Sequence, residues 1–516
     1  MISRQLLMVF AVWMTFGALP QKLAAEEAAR HPEVDVILWF DTEDYLLPAD
    51  DDAAKRLAEM LSQRGVRATF KVVGEKARVL EKRGRADVIE ALKKHEIGYH
   101  SNLHSVHPTP TEYLADCGLL DGIAEFIRRE KRGADDVRRI FGMPSLCCYG
   151  QPGSSWAPQA IAALGECGVN SAGVPCYVDS GSHVGLDGRP FWYAGALVVY
   201  HMSPNETRMD LFEADGLAKG EKQFGAIADR LMNEGGGLIS IFYHPCEWVH
   251  EEFWDGVNFR RGANPPREEW KPPRQRSAEQ TDAAFERFGK YIDFMRARPE
   301  IRFVTARDLP DVYPDALRSQ GATAAEAMTL AKIMLGSEFK GIDFQTIGKK
   351  TFSPAEQFVL LTLAVTDIID GKKAPPDSFA MIPGLLGPDA AAPVGPPPEL
   401  REPIRWTAMR DAAIDVRDYL RMHRRIPARV FIGQEAIAPA DFLPALAVAY
   451  AGYQENHRFP EIVALGSNVE LLTARHVAKD APGLFGGWII HKANFRAPKV
   501  MEVARLQAWT LKPAAR

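Results

Sequence analysis

The sequence predicts an α/β fold: a (β/α) barrel over residues 30–315, followed by a smaller, mainly helical repeat region. Three observations predict it. Apolar strand runs alternate with helical stretches as far as Pro310, the first run is apolar along nearly its whole length, and the alternation then stops. VDVILWFD (34–41) has the continuous apolar character of a buried strand and ends in a charge. AAKRLAEMLSQRG (53–65) is helical in spacing and closes at Gly65, and RATFKVVGE (67–75) returns as a strand. VIEALKKHE (88–96) leads as helix into IGYHSNLH (97–104), a strand and its loop. The same pairing recurs in APQAIAALGECG (157–168) before VNSAGVP (169–175) and in DGLAKGEKQFGAIADRLMNEGGG (215–237) before LISIFYH (238–244). TDAAFERFGKYIDFMRARPE (281–300) before IRFVTARDL (301–309) is the last such pair. Repeated strand–helix pairs give parallel strands, and this many units favour a barrel over an open sheet. Chemistry in such barrels sits at the carboxyl ends of the strands, where Asp41, His100 and His244 all fall.

Beyond Pro310 the expected organisation is a helical region over 320–388 with a first repeat, a Pro/Ala-rich linker over 389–403, and a second repeat with a C-terminal tail over 404–516. FSPAEQFVLLTLAV (352–365) matches IAPADFLPALAVAY (437–450), with Pro354 over Pro439 and Glu356 over Asp441. Proline and an acid in the first turn suit a helix N-terminus. Basic–proline turns follow each helix, at GKKAPPDSF (371–379) and NHRFPEIV (456–463), and HRRIPARVF (423–431) is a third. Such repeats mark a modular binding region; two similar helices made by common helix chemistry are the plainer alternative.

Composition excludes several classes. Apolar residues make up 46% and charged residues 25%, as in ordinary globular protein, and the formal charge of −5 offers no basic field for nucleic acid. Arg4, the apolar run Leu6–Pro20 and the small residues after it read as a signal peptide over 1–25, which predicts a secreted, periplasmic or cell-wall-associated protein with no stable membrane span after cleavage. An uncleaved anchor is the alternative. The six cysteines form no CxxC pair, so a cysteine-built zinc site is not expected; disulfides and buried free thiols both remain open.

Three segments carry chemistry. WFDTEDY (39–45) sets Asp41, Glu43 and Asp44 directly after a buried strand; a solvated acidic turn is the usual reading of such a cluster, and this position strengthens the case for a metal ligand or base. HEIGYHSNLH (95–104) places His100 and His104 four apart, so that on a helical turn both face one ion, with His107 a bystander or a further ligand. Two histidines and a carboxylate suit zinc or a related divalent ion with a position left open for water; cobalt, nickel and manganese are permitted by the same donors. ISIFYHPCEW (239–248) ends an apolar strand in His244.

Together these segments resemble the polysaccharide deacetylase family, carbohydrate esterase family 4, over about residues 34–310. HSNLH fits the family's His-Ser/Thr-x-x-His loop, FDTED fits its acidic strand end, and GECGVNSAGVPCYVDSGSH and RFVTARDLP are similar to its later segments. The resemblance implies the distorted barrel of the polysaccharide deacetylase type and one divalent metal ion, zinc foremost. It implies Asp41 as general base, Glu43, His100 and His104 as metal ligands, and His244 as general acid; Asp44 is the rival to Glu43. The family's Arg-Pro segment stands here as YGQPGSSW (149–156), with Gln151 in place of the arginine that orients the base. Either Gln151 hydrogen-bonds Asp41, or another cation substitutes, or the substrate class differs. Gln151 and Trp156 are the expected substrate-binding residues, Trp156 as a sugar platform or else as core.

YLRMHRRIPARVFIGQEAIAPADFLPALA (419–447) is similar to a pseudomurein-binding repeat, and FSPAEQFVLLTLAV to its second half. This implies a cell-wall glycan as partner of the C-terminal region, beside the glycan substrate. The function implied is removal of acetyl groups from N-acetylated sugars of a cell-wall or extracellular polysaccharide. The alternatives are an amidohydrolase on a non-sugar C–N bond and a non-catalytic wall-binding protein.

Overall fold

The structure, a computed structural model, describes residues 33–200, 204–205, 207–372, 378–397 and 401–516. The signal-peptide segment lies outside the described residues.

The central strand is β1 (Val34–Thr42), every residue of which is buried, because both faces are covered as its apolar run requires. β7 (Gly237–Tyr243) pairs with it in parallel along Val34–Phe40. On the other side β8 (Ile301–Val304) pairs with Val34–Ile37, and β2 (Thr69–Val72) with Trp39–Thr42. β3 (Glu96–Tyr99) follows β2, again in parallel. Single parallel bridges at Tyr149 carry the sheet from Tyr99 to Tyr177 in β4 (Cys176–Asp179), which pairs with β6 (Ala196–Tyr200). The parallel sheet forms a half-barrel, with helices packed outside it. β5 (Phe191–Tyr193) runs antiparallel to β6. The expected strand over 169–175 is displaced: those residues make only isolated bridges, and the strand proper is CYVD, a few residues later.

Residues from Leu317 to Val463 build a second hydrophobic core. It contains two helix–hairpin–helix units. In the first, the Ala324–Leu335 helix leads through β9 (Gln345–Ile347) and β10 (Lys350–Phe352) to the Pro354–Ile369 helix. In the second, the Trp406–His423 helix leads through β12 (Val430–Ile432) and β13 (Glu435–Ile437) to the Pro439–Asn456 helix; β11 (Ile404–Arg405) lies just before this unit. Gly348 and Gly433 occupy equivalent hairpin turns at φ +60 and +61, where a β-carbon would be strained. The first helix of each unit packs on the second helix of the other. The repeat is therefore a structural duplication, and neither unit buries its apolar face alone. The Pro/Ala-rich stretch has no regular structure among its described residues, but it is pinned at each end, by Asp389 to Arg425 (3.0 Å) and by Arg401 to Asp441 (2.9 Å).

The tail departs from expectation. After β14 (Ile462–Val463) the chain leaves the helical unit, and Val477, Phe485, Val500, Met501 and Leu511 join the core of the barrel. β15 (Lys512–Pro513) adds to the edge of β5, and Tyr193 donates its hydroxyl to the carbonyl of Ala504 at 2.8 Å. The helical units are thus inserted within the barrel's own sequence. Lys512 is almost fully buried and joins the two parts, bonding Asp315 (3.0 Å) and Glu356 (2.8 Å). This return has no strand–helix alternation of its own; its apolar residues find their partner surface hundreds of positions earlier.

All six cysteines are free thiols, five of them buried. No helix among the described residues is long and apolar enough to cross a membrane.

Candidate active site

The carboxyl ends of β1, β3, β4 and β7 converge at one mouth of the half-barrel, bringing Asp41, Glu43, His100, Asp179 and His244 round a cavity of about 430 Å³. Glu43 Oε2 lies 2.8 Å from His104 Nε2 and 3.4 Å from His100 Nε2. Both nitrogens are buried, and with the Glu43 carboxylate they form a compact donor cluster. Buried polar groups gathered this way are costly unless they are paired or hold an ion. Two donors on a tetrahedral zinc ion sit about 3.4 Å apart, and the ligand atoms of the three side chains all lie within 4.8 Å of one another, so the trio suits a divalent ion. Gly150 O lies 3.0 Å from His100 Nδ1, and Ser105 Oγ lies 2.5 Å from His104 Nδ1, fixing both rings so that Nε2 faces Glu43.

The two histidines do not share a helical turn. They meet through a tight loop in which Ser101 (φ +64) and His104 (φ +57) adopt left-handed backbone, while Ser101 Oγ accepts from the His104 amide at 3.1 Å. Such conformations are strained for residues with side chains and persist where the surroundings enforce them. Of the two rival acids, Glu43 points into the cluster. Asp44 turns away: it accepts from the Leu46 amide at 2.8 Å and faces His250 at 3.1 Å. His107 pairs with Glu112 at 2.6 Å and is not among the clustered ligands.

Asp41 takes its cation from an unexpected place. Lys71, on β2 and fully buried, lies 2.9 Å from Asp41 and 2.7 Å from Asp179, and also donates to Val178 O at 2.8 Å. Its ammonium sits 3.9 Å from the centre of the Trp39 ring. Gln151 lines the cavity but does not reach Asp41; its amide donates to Gly153 O and accepts from the Tyr177 hydroxyl at 2.5 Å. The substitution expected at Gln151 is therefore met by Lys71. A lysine in the middle of the buried run TFKV was a legible signal. Asp179 was hidden by the misplaced strand. Burial pushes the Asp179 carboxyl up, Lys71 only partly offsets it and nearby Asp41 adds to it, leaving it at about 7.

Trp156 is not a platform. It is fully buried, donates to the Tyr200 hydroxyl at 2.8 Å and stacks on His183 at 4.8 Å. The tryptophan in the cavity wall is Trp488, from the returning C-terminal segment.

His244 stands opposite the cluster, with Nε2 3.7 Å from Asp41 and Nδ1 held by Glu247 at 2.8 Å. Burial pushes its imidazole down, but Glu43, Glu247 and Asp41 outweigh that and raise it to about 9. Burial pushes the Glu43 carboxyl up, yet His104, His244 and His100 hold it well below the usual range.

The fold and site thus define a parallel half-barrel with a buried two-histidine, one-carboxylate cluster and a separate Asp–Lys–Asp group beside it. No protein-family model matches the chain, and no curated protein does. Among solved structures it is similar to a candidate polysaccharide deacetylase from Mycobacterium smegmatis, at 15% identity and a TM-score of 0.35 over 55% of this chain and 91% of that one. Peptidoglycan deacetylase PdaC from Bacillus subtilis matches at 16% identity and a TM-score of 0.27, over 55% and 93% of the two chains. Puue allantoinase matches at 10% identity and a TM-score of 0.37, with the same coverage of 55% and 93%.

Proposed function

We propose that this protein is a metal-dependent hydrolase that removes acetyl groups from N-acetylated sugars of a cell-wall or extracellular glycan. The observation that carries the reading is the pair of buried imidazole nitrogens, His100 Nε2 and His104 Nε2, gathered on Glu43 beside an independently held Asp41. Glu43, His100 and His104 would hold the ion, zinc foremost. When bound, it supplies Lewis acidity to an amide carbonyl and makes water easier to deprotonate.

The remaining chemistry belongs to the chain. Asp41 accepts the proton of the attacking water, and Lys71 holds that carboxylate in place. His244, its Nδ1 committed to Glu247, presents Nε2 to the departing nitrogen and delivers a proton there. Protonation there is needed because an amine anion is a very poor leaving group. Gln151 lines the substrate side of the cavity.

On this reading residues 1–25 are an export signal, the enzyme acts outside the cell, and the paired C-terminal units hold it to a wall glycan.

Metal analysis of the purified protein, paired with acetate release from chitin oligomers and peptidoglycan, tests the proposal. About one ion per chain and acetate from wild type but not from the His100→Ala/His104→Ala variant is the expected result. No binding of zinc, cobalt, nickel or manganese ends the reading; metal without acetate moves it to other amides.

A further inference from the structure

We propose that the returning segment Pro482–Phe495 is a length filter for the substrate: Trp488 and Ile489 wall off the His104 side of the cavity. The acetylated unit then enters as the end of a chain or a short oligomer, not as an internal unit of a polymer. This deepens the deacetylase reading and rests on it.

The segment crosses the cavity mouth and is fastened on both sides. On one side Ser154 donates its hydroxyl to Phe485 O at 2.7 Å, and Thr109 Oγ1 lies 3.1 Å from His491 Nε2. On the other, the amides of Arg261 and Gly262 donate to Ile489 O (3.0 Å) and Ile490 O (2.7 Å), and Trp488 Nε1 donates to Asp255 at 3.2 Å. The Trp488 ring lies edge-on to His104, centroids 5.6 Å apart, so the wall directly adjoins the ligand cluster. Its place is built into the barrel: Gly153 sits at φ +48, and a β-carbon there would come within 2.2 Å of the indole. A glycine at that point admits the ring.

A site acting on an internal unit of a long polymer needs a groove open at both ends. Here an indole and a branched aliphatic chain line the cavity on the side of His104, while Phe242 and Ser180 line it elsewhere. The cavity of about 430 Å³ lies toward the small end of single-ligand sites. Trp488 acts here as a specificity-determining residue; it donates no group to the chemistry.

The test compares wild type, Trp488→Ala and Trp488→Phe on N-acetylated dimers, trimers and the corresponding soluble polymer, by kcat/KM per acetyl group. Each protein is checked for metal content and melting temperature. Calorimetric binding of the same ligands is measured in an Asp41→Asn background. Wild type is expected to favour the short substrates. Trp488→Ala is expected to shift the short-to-polymer ratio toward polymer by about tenfold or more in both rate and binding, with Trp488→Phe near wild type. A folded, metal-loaded Trp488→Ala with an unchanged ratio overturns the proposal, as does a wild type that prefers polymer. If Trp488→Ala does not fold, Trp488→Leu is read by the same criterion. Failure of the deacetylase reading looks different: metal-loaded wild type then releases acetate from no length. In that case binding decides, and binding of neither length overturns the filter as well.

Discussion

Lys71 is the residue on which the site most depends beyond the ligands themselves. Its ammonium is fully buried and serves two carboxylates at once, Asp41 and Asp179. Removing it strands both in a low-dielectric pocket, where losing one partner of a buried pair costs about 3–5 kcal/mol. Lys71→Met is expected to lose stability of that order in urea unfolding and to lower kcat/KM by about a hundredfold or more. The acidic ligand can be settled separately. Glu43→Gln should lose the metal, whereas Asp44→Asn, whose side chain faces His250, should keep it and lower only the melting temperature. Metal binding should also depend on pH. Burial pushes His104 down, but the Glu43 ion pair outweighs it and raises the ring. An ion at these residues competes with protons for the same nitrogens, so metal affinity should rise with pH; calorimetry in buffers of different ionisation enthalpy reads the protons released.

Among the elements, the Pro48–Gln63 helix places Asp50 and Asp51 in its first turn against Lys76, all three with no solvent exposure. Burial raises the Asp50 carboxyl to about 7 even though Lys76 opposes the shift. Between its unfolded value of about 3.9 and 7, the folded state keeps a proton that the unfolded chain has released. Stability contributed by this group therefore falls as pH rises through that window. Asp50→Asn cannot titrate, and its melting temperature should decline less between about pH 5 and 8 than that of wild type. The helices of the repeat show what local sequence can specify. Ser353 and Glu356 form a capping box, and Pro354 opens the helix, all readable from four residues. The cross-packing of the two units is not readable that way, because each apolar face is completed by a helix of the other unit.

For the whole molecule, the returning segment makes the barrel discontinuous in sequence. A chain ended near residue 470 would lose the Pro498–Gln507 helix, β15 and the wall of the cavity, and would expose core side chains such as Val500, Met501 and Leu511. Truncation there is expected to give aggregated or markedly destabilised protein. Limited proteolysis should likewise leave no stable fragment covering residues 30–315 alone, as followed by mass and circular dichroism. A soluble, metal-binding 30–315 fragment with a cooperative melt would contradict this.

The sequence by itself determined the strand ends and the residues they carry. Continuous apolar runs closing in Asp41, His100 and His244 specify buried parallel strands with functional ends, because periodicity and burial are local properties. The duplication of the C-terminal units was legible for the same reason. What tertiary structure decided is everything that depends on two distant segments meeting. It turned Glu43, and not Asp44, toward His100 and His104, and set Lys71 beside Asp41 where Gln151 does not reach. It sent Trp156 into the core and brought Trp488 to the cavity from more than two hundred residues away. Spacing along a chain fixes which residues share an element; it carries no record of which far surface completes the burial of an apolar or charged group, and that pairing shaped this site.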